Sequence, residues 1–115
     1  MSSLKASDDA AAAVAVAPRV ALADIEAAIA SRHDFRAGEA LAALNLPGTM
    51  GHDLLSICIL TMKNGFMVIG KSAPASPENF DAELGRKFAY EDCIRQLWPL
   101  MGFELRERLY RGAPA

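Results

Sequence analysis

Nine side chains in the second half of the chain have the chemistry to hold a phosphorylated ligand: Ser72, Ser76, Asn79, Arg86, Lys87, Tyr90, Arg95, Trp98 and Arg106. Ser76 precedes Pro77, and proline suits the first position of a helix because no intrahelical bond needs its N–H. The free N–H groups of such a helix start, with Ser72, Ser76 and Asn79 around them, would face an anion that the helix dipole also favours. Arg86 and Lys87 follow roughly two to three turns on. Arg95 extends a basic edge along the same helix, and Tyr90 or Trp98 offers a ring for a base to stack on. Arg106, with Arg108 and Arg111, adds forked donors if the C-terminal segment folds back. The plainer roles are capping for Ser76 and Asn79, core packing for Phe80 and Trp98, and a solvated helix face for Arg86 and Lys87.

Catalytic signatures are missing: the sequence has no GxxxxGK[ST] phosphate loop, no HExxH, no GxSxG and no paired CxxC. Asp81 and Glu83 are two apart and do not face each other on a helix, so they make no acid/base pair. His33 and His52 stand alone and read as surface or capping residues. Cys58 and Cys93 lie among apolar neighbours without metal-ligand spacing, so they read as small buried hydrophobes of a reducing compartment. No catalytic residue, metal site or cofactor is expected.

The 115 residues carry 12 Lys plus Arg against 14 Asp plus Glu, and cutting before Glu78 leaves six basic and seven acidic residues on each side. That balance argues against a nucleic-acid partner, whose phosphates call for an excess of cations. The Ala/Val run near the N-terminus follows two aspartates and is too short and weakly apolar for a secretory signal or a membrane span. The expectation is a disordered Ala-rich tail over residues 1–17, then one small domain over 18–112, without membrane contact. A core this small is marginal alone, which favours assembly.

The elements that would position the nine residues begin at Leu22, where Leu22, Ile25 and Ile29 recur at helical spacing; a helix of about Leu22 to Arg32 is predicted, with a frayed start because Ala21 cannot cap it. Residues 36–53 give no firm pattern beyond a helical turn or two and a Pro/Gly loop. "DLLSICILTMKNGFMVIGKSA" then reads as a β-hairpin around Asn64-Gly65. With those two as the turn, Met62 pairs Met67, Thr61 pairs Val68 and Leu60 pairs Ile69. One face would carry Ile57, Ile59, Thr61, Phe66 and Val68, the other Cys58, Leu60, Met62, Met67 and Ile69. Both are apolar, so both call for cover.

A helix is predicted from Pro77 to about Leu97, ended or kinked by Trp98-Pro99. Its apolar side changes midway, from Phe80, Leu84 and Phe88 to Ala89, Cys93 and Leu97, so it should pack against two different things. Gly85 inside it suggests a close backbone approach. Leu100, Phe103, Leu105 and Leu109 then suggest a short C-terminal helix, with a strand as the alternative.

The residues Lys63-Asn64-Gly65-Phe66, Gly70, Ser72-Ala73, Pro77-Glu78-Asn79-Phe80, Gly85-Arg86-Lys87, Trp98-Pro99-Leu100 and Leu105-Arg106-Glu107-Arg108-Leu109, together with "DIEAAIASRHDF", resemble a family of small tailed-phage proteins of the phage N-four gene-forty-nine and Sf-six gene-sixty-six type. The family tends to start its first helix with Thr-Pro, where this chain has Ala21-Leu22. The resemblance implies phage or prophage origin, an accessory role in the cytoplasm of the infected bacterial cell, and no established activity. The combined expectation is an α+β fold of short helix, antiparallel hairpin, long helix packed on it and short C-terminal helix, assembled as a homo-oligomer. Its function would be binding without catalysis: counter-defence sequestration of a small nucleotide-derived ligand, or a protein–protein interaction module that grips a host or phage protein.

Overall fold

A computed structural model describes residues 3–112. Its elements are α1 (Ser3–Val14), α2 (Leu22–Ala27), β1 (Ile29–Arg36), α3 (Ala37–Ala43), α4 (Met50–Leu54), β2 (Ser56–Met62), β3 (Met67–Ser72), a 3₁₀ turn (Pro77–Asn79) and α5 (Ala82–Tyr110). The fold is α+β: a three-stranded antiparallel sheet in the order β1-β2-β3, with α5 laid across one face.

The hairpin forms where Asn64-Gly65 predicts it, but in a register one residue away from the expected one. Thr61 pairs Met67, Leu60 pairs Val68, Ile59 pairs Ile69 and Cys58 pairs Gly70. The turn closes with Gly65 N–H donating to the Met62 carbonyl (2.9 Å) and Met62 N–H donating to the Phe66 carbonyl (2.8 Å). Gly65 sits at φ +90. This is the three-residue loop in which a type I turn is followed by a left-handed glycine. The extra loop residue moves Val68 to the face of Cys58, Leu60 and Met62, all buried, and moves Met67 and Ile69 to the opposite face.

Gly70 decides where α5 lies. A Cβ there would collide with the Ala89 carbonyl oxygen and come within 2.9 Å of the Cys93 amide nitrogen. The helix backbone therefore rests on the strand at this point, and the Cys93 thiol donates to the Cys58 carbonyl at 3.4 Å. Ile25, Cys58, Leu60, Ala89, Cys93, Ile94 and Leu97 fill the core around that contact. The close backbone approach inferred for Gly85 belongs to Gly70 instead; Gly85 makes room for the Ser56 side chain.

Four further expectations change. The predicted first helix stops at Ala27, and Ile29–Arg36 is a strand paired with β2 from Ile29↔Met62 to Arg36↔Ser56. Helical spacing there is outweighed by the partner that β2 supplies. The chain over Ser3–Val14 is a helix rather than a tail, since alanine is the strongest helix former. Leu4 joins the core, and Asp8 accepts from Arg19 (2.9 Å) and from the Leu22 N–H (3.1 Å). Met1 and Ser2 lie outside the described residues.

The long helix starts at Ala82, not Pro77. Asp81 caps it, accepting from the Leu84 N–H at 3.0 Å, while Ser76 leads only into the 3₁₀ turn. It then runs 29 residues through Pro99 to Tyr110, absorbing the expected separate C-terminal helix. Proline removes one bond to the carbonyl four residues back. Trp98 nevertheless anchors this stretch, its Nε1–H donating to the Val20 carbonyl at 3.1 Å. In the unread region, Asn45 at φ 57 ends α3, and the Leu46 N–H returns to the Leu41 carbonyl at 2.9 Å.

The molecule is long and thin, 53 × 29 × 17 Å, with a radius of gyration of 17.0 Å. A compact chain of this length has about 13 Å. Replacing Gly70 with Ala should cost about 3 kcal/mol, the upper end of overpacking penalties, because the nearest atoms are helix backbone. Gly65→Ala, with open space around it but a left-handed φ, should cost about 1 kcal/mol. Urea unfolding followed by far-UV circular dichroism measures both.

Candidate functional site

Alternation along β2 puts Ser56, Cys58, Leu60 and Met62 under α5 and turns Ile57, Ile59 and Thr61 the other way. Register then fixes their neighbours. Ser31, His33 and Phe35 of β1 and Met67, Ile69 and Lys71 of β3 share that second face. Met67 is 57% exposed and Ile69 60%. A solvated sheet face usually alternates to polar residues. Here Phe35, Ile57, Ile59, Met67 and Ile69 form a continuous apolar patch, with His33 on its open edge and Ser31, Thr61 and Lys71 at its corners, the pattern of a contact surface.

The other side of the sheet carries a second feature. Because α5 lies over β2 and β3, the helix-side face of β1 is only partly covered, and Arg32, Asp34 and Arg36 line a groove between β1 and α5. The Arg32 guanidinium stacks 4.3 Å from the centre of the Tyr90 ring and pairs with Asp34 at 2.8 Å. Arg36 lies 5.9 Å from the Phe80 ring centre and 3.4 Å from Glu39. Arg86 enters the same groove from α5, beside Asp34, Arg36, Glu39 and Ser56, where a cavity of ≈ 160 Å³ remains. The Glu39 carboxyl is held below its usual range first by the Arg36 backbone N–H, then by the Arg36 guanidinium, with Arg86 adding a smaller pull; burial opposes them.

The nine residues picked out in the sequence do not converge on one place. Ser72 and Asn79 share a cleft of ≈ 170 Å³ with Phe80, Leu84, Phe88 and the capping carboxylate of Asp81; no basic residue lines it. Ser76 stands before a turn of only three residues and makes no side-chain cap bond. Arg86 and Tyr90 both face the β1–α5 groove. Lys87, Arg95 and Arg106 are exposed along α5, and Trp98 is engaged with Val20. Arg108 pairs with Glu104 and Arg111 with Glu107 along the helix, so the C-terminal segment continues outward instead of folding back. Sequence reading missed Arg32 and Arg36. Their signal was the period-two run Arg32, Asp34, Arg36, which places three charges on one strand face.

A third concavity, ≈ 390 Å³, opens at the hairpin tip between Met62, Phe66, Leu97, Leu100 and Met101, with Lys63 and Glu104 among its lining residues. Among the described residues no group of His, Cys, Asp and Glu is placed to hold a metal ion, and no helix is long and apolar enough to cross a membrane. His52 is a capping residue: its Nδ1 accepts from the Thr49 N–H at 2.9 Å.

The sequence profile of the phage protein (N4 Gp49/phage Sf6 gene 66) family matches residues 20–109, from two residues before α2 through nearly all of α5. The chain belongs to this family. The match starts just after α1 and contains the sheet, both its faces and the groove. No curated protein and no solved structure matches the chain.

Burial pushes the Cys58 thiol up to about 12, with the neighbouring Cys93 adding to the shift, and burial also raises Cys93. Both thiols are fully inaccessible. They should resist a thiol-reactive disulfide reagent at pH 8 in the folded protein and react fully in denaturant. The Tyr90 phenol is likewise pushed up to about 12, by burial first and then by the Glu26 charge. A raised phenol favours the neutral form in the fold, so its contribution is complete below the unfolded value of about 10. That contribution is lost as pH rises from there toward 12. Tyr90→Phe should therefore flatten the alkaline fall in unfolding midpoint measured between those values.

Proposed function

We propose that the chain is a phage accessory protein that acts by binding, without catalysis, and that its working surface is the uncovered apolar face of the sheet, seated on a protein of the phage or its host. The single observation carrying this is the exposure of Met67 and Ile69 beside Ile57, Ile59 and Phe35 on a face that the chain's own helices leave open. Burying such a face releases roughly 25 cal/mol per Å² of apolar surface. Assembly belongs to the same reading. The chain exposes 7477 Å², whereas a compact monomer of 12.3 kDa exposes roughly 6,100 Å². The excess is comparable to one side of a large protein interface.

A second reading has an observation of its own. Arg32 stacked on Tyr90, with Arg36 and Arg86 nearby, could grip a small phosphorylated or nucleotide-derived molecule, as a counter-defence protein would when sequestering a signal. It ranks second because Arg32 and Arg36 already pair with Asp34 and Glu39, and a ligand would have to compete with those carboxylates.

The double variant Met67→Glu/Ile69→Lys keeps the fold, since both side chains are more than half exposed. Tagged wild-type protein expressed during infection should retain a stoichiometric protein that this variant loses and that Phe103→Ser, on the far end of α5, keeps. Equal recovery by all three, or none by any, removes the first reading. Calorimetry with cyclic dinucleotides and ADP-ribose tests the second; binding weakened about tenfold or more by Arg86→Ala supports it, and no heat from any of them ends it.

A further inference from the structure

The two edges of the sheet are treated differently. On β3 two of the outward backbone groups are met by α5: the Lys71 N–H donates to Asp92 Oδ2 at 3.0 Å, and Gln96 Nε2 donates to the Ile69 carbonyl at 2.7 Å. These two residues are four apart on the helix and cover the edge with side chains. On β1 only the Arg36 N–H at the strand's end is met by a side chain, Glu39 Oε1 at 2.8 Å, and no helix side chain bonds the outward groups of Arg32 or Asp34 among the described residues. The Met62–Phe66 bond sets the alternation: Leu60 and Met62 bond toward β3, so Ile57, Ile59 and Thr61 bond toward Phe35, His33 and Ser31. The N–H and C=O groups of Arg32, Asp34 and Arg36 therefore point out of the sheet. Arg32 and His33 are themselves exposed.

We infer that this open edge is a homodimer interface, in which β1 of two copies pair antiparallel about a two-fold axis through His33 and join their sheets into one of six strands. The inference concerns the edge and stands apart from what covers the apolar face.

The sequence of β1 is self-complementary in this register and in no neighbouring one of equal length. Centred on His33, each Arg32 lies opposite Asp34 of the second copy, and these are the outward-facing residues that exchange backbone bonds. Ser31 then lies opposite Phe35, and the two His33 form the non-hydrogen-bonded pair on the axis. Centring on Asp34 would oppose Asp34 to itself and Arg32 to Arg36, placing like charges together. Centring on Phe35 would restore opposite charges but run into α3, which begins at Ala37 and leaves only a stub of strand. The chosen register extends the Arg32–Asp34 ion pair within each strand into a four-charge array across the axis. It also places two copies of the apolar face side by side, which a single chain of this small size cannot do.

The geometry places the two His33 Cα atoms about 4.5 Å apart, within disulfide reach, and the two Ser31 atoms well outside it. Under mild oxidation at micromolar concentration the purified His33→Cys protein should run mainly as a disulfide-linked dimer and Ser31→Cys as a monomer; the native thiols are buried. Asp34→Pro removes an outward N–H while sparing the bonds to β2, and edge strands accept proline. It should weaken the dimer seen by light scattering on the order of a hundredfold, the worth of two lost hydrogen bonds with a ring in the interface. Its circular dichroism should match wild type. A strictly monomeric wild type, equal cross-linking through residues 31 and 33, or a folded Asp34→Pro protein that dimerises like wild type would each overturn the inference.

Discussion

The contact between α5 and β3 at Gly70 governs the rest of the molecule. With no side chain on the strand, the carbonyl of Ala89 and the amide of Cys93 come down onto it. The helix is thereby held close enough for Cys93 to reach the Cys58 carbonyl and for Ile94 and Leu97 to bury themselves against Leu60 and Met62. Any larger residue would lift the helix and open a gap along this whole seam, because close-packed interiors transmit such a displacement. The same seat puts Asp92 and Gln96 beyond the margin of β3, where they bond its Lys71 N–H and Ile69 carbonyl.

Seating one long helix over β3 and β2 has costs elsewhere in the fold. A single helix about 10 Å wide cannot cover three strands. The helix side of β1 is left as a groove, where Arg32 is accommodated by the Tyr90 ring and Asp34, and Arg36 by the Phe80 ring and Glu39. The opposite sheet face receives no helix across its centre. Beyond the sheet, α5 continues past Pro99, and Phe103 and Tyr110 stand in solvent at 71% and 76% exposure. The elongated shape and the excess surface follow from this one arrangement.

The reactive groups inside the fold are mostly engaged in its structure. Its thiols are buried and raised, so they are poor nucleophiles at neutral pH. Its carboxylates mostly do local structural duty: Asp81 and Asp24 at helix starts, Asp8 tying α1 to α2, Asp92 at the sheet margin. Among the outward groups are apolar side chains and arginines on aromatic rings, and arginine and tyrosine are enriched where recognition energy concentrates.

Much of this was legible in the residues alone. Asn64-Gly65 determined that a hairpin forms, the apolar run on each side of it determined that both faces of β2 resist water, and Ser76-Pro77 determined that a helix follows within a few residues. These are nearest-neighbour properties, set by which φ values and which alternation a short segment tolerates. The register was not of that kind: two- and three-residue loops both accept Asn-Gly, and the choice was made by Val68 and Gly70 having to meet a helix that arrives some twenty residues later in the chain. Nor was β1, whose helical spacing yielded to the partner waiting in β2. The scatter of the nine phosphate-friendly residues has the same origin, since helical spacing fixes only angles around an axis. Which of those angles faces a groove, a core or water depends on where the axis is laid, and only the tertiary contact at Gly70 lays it.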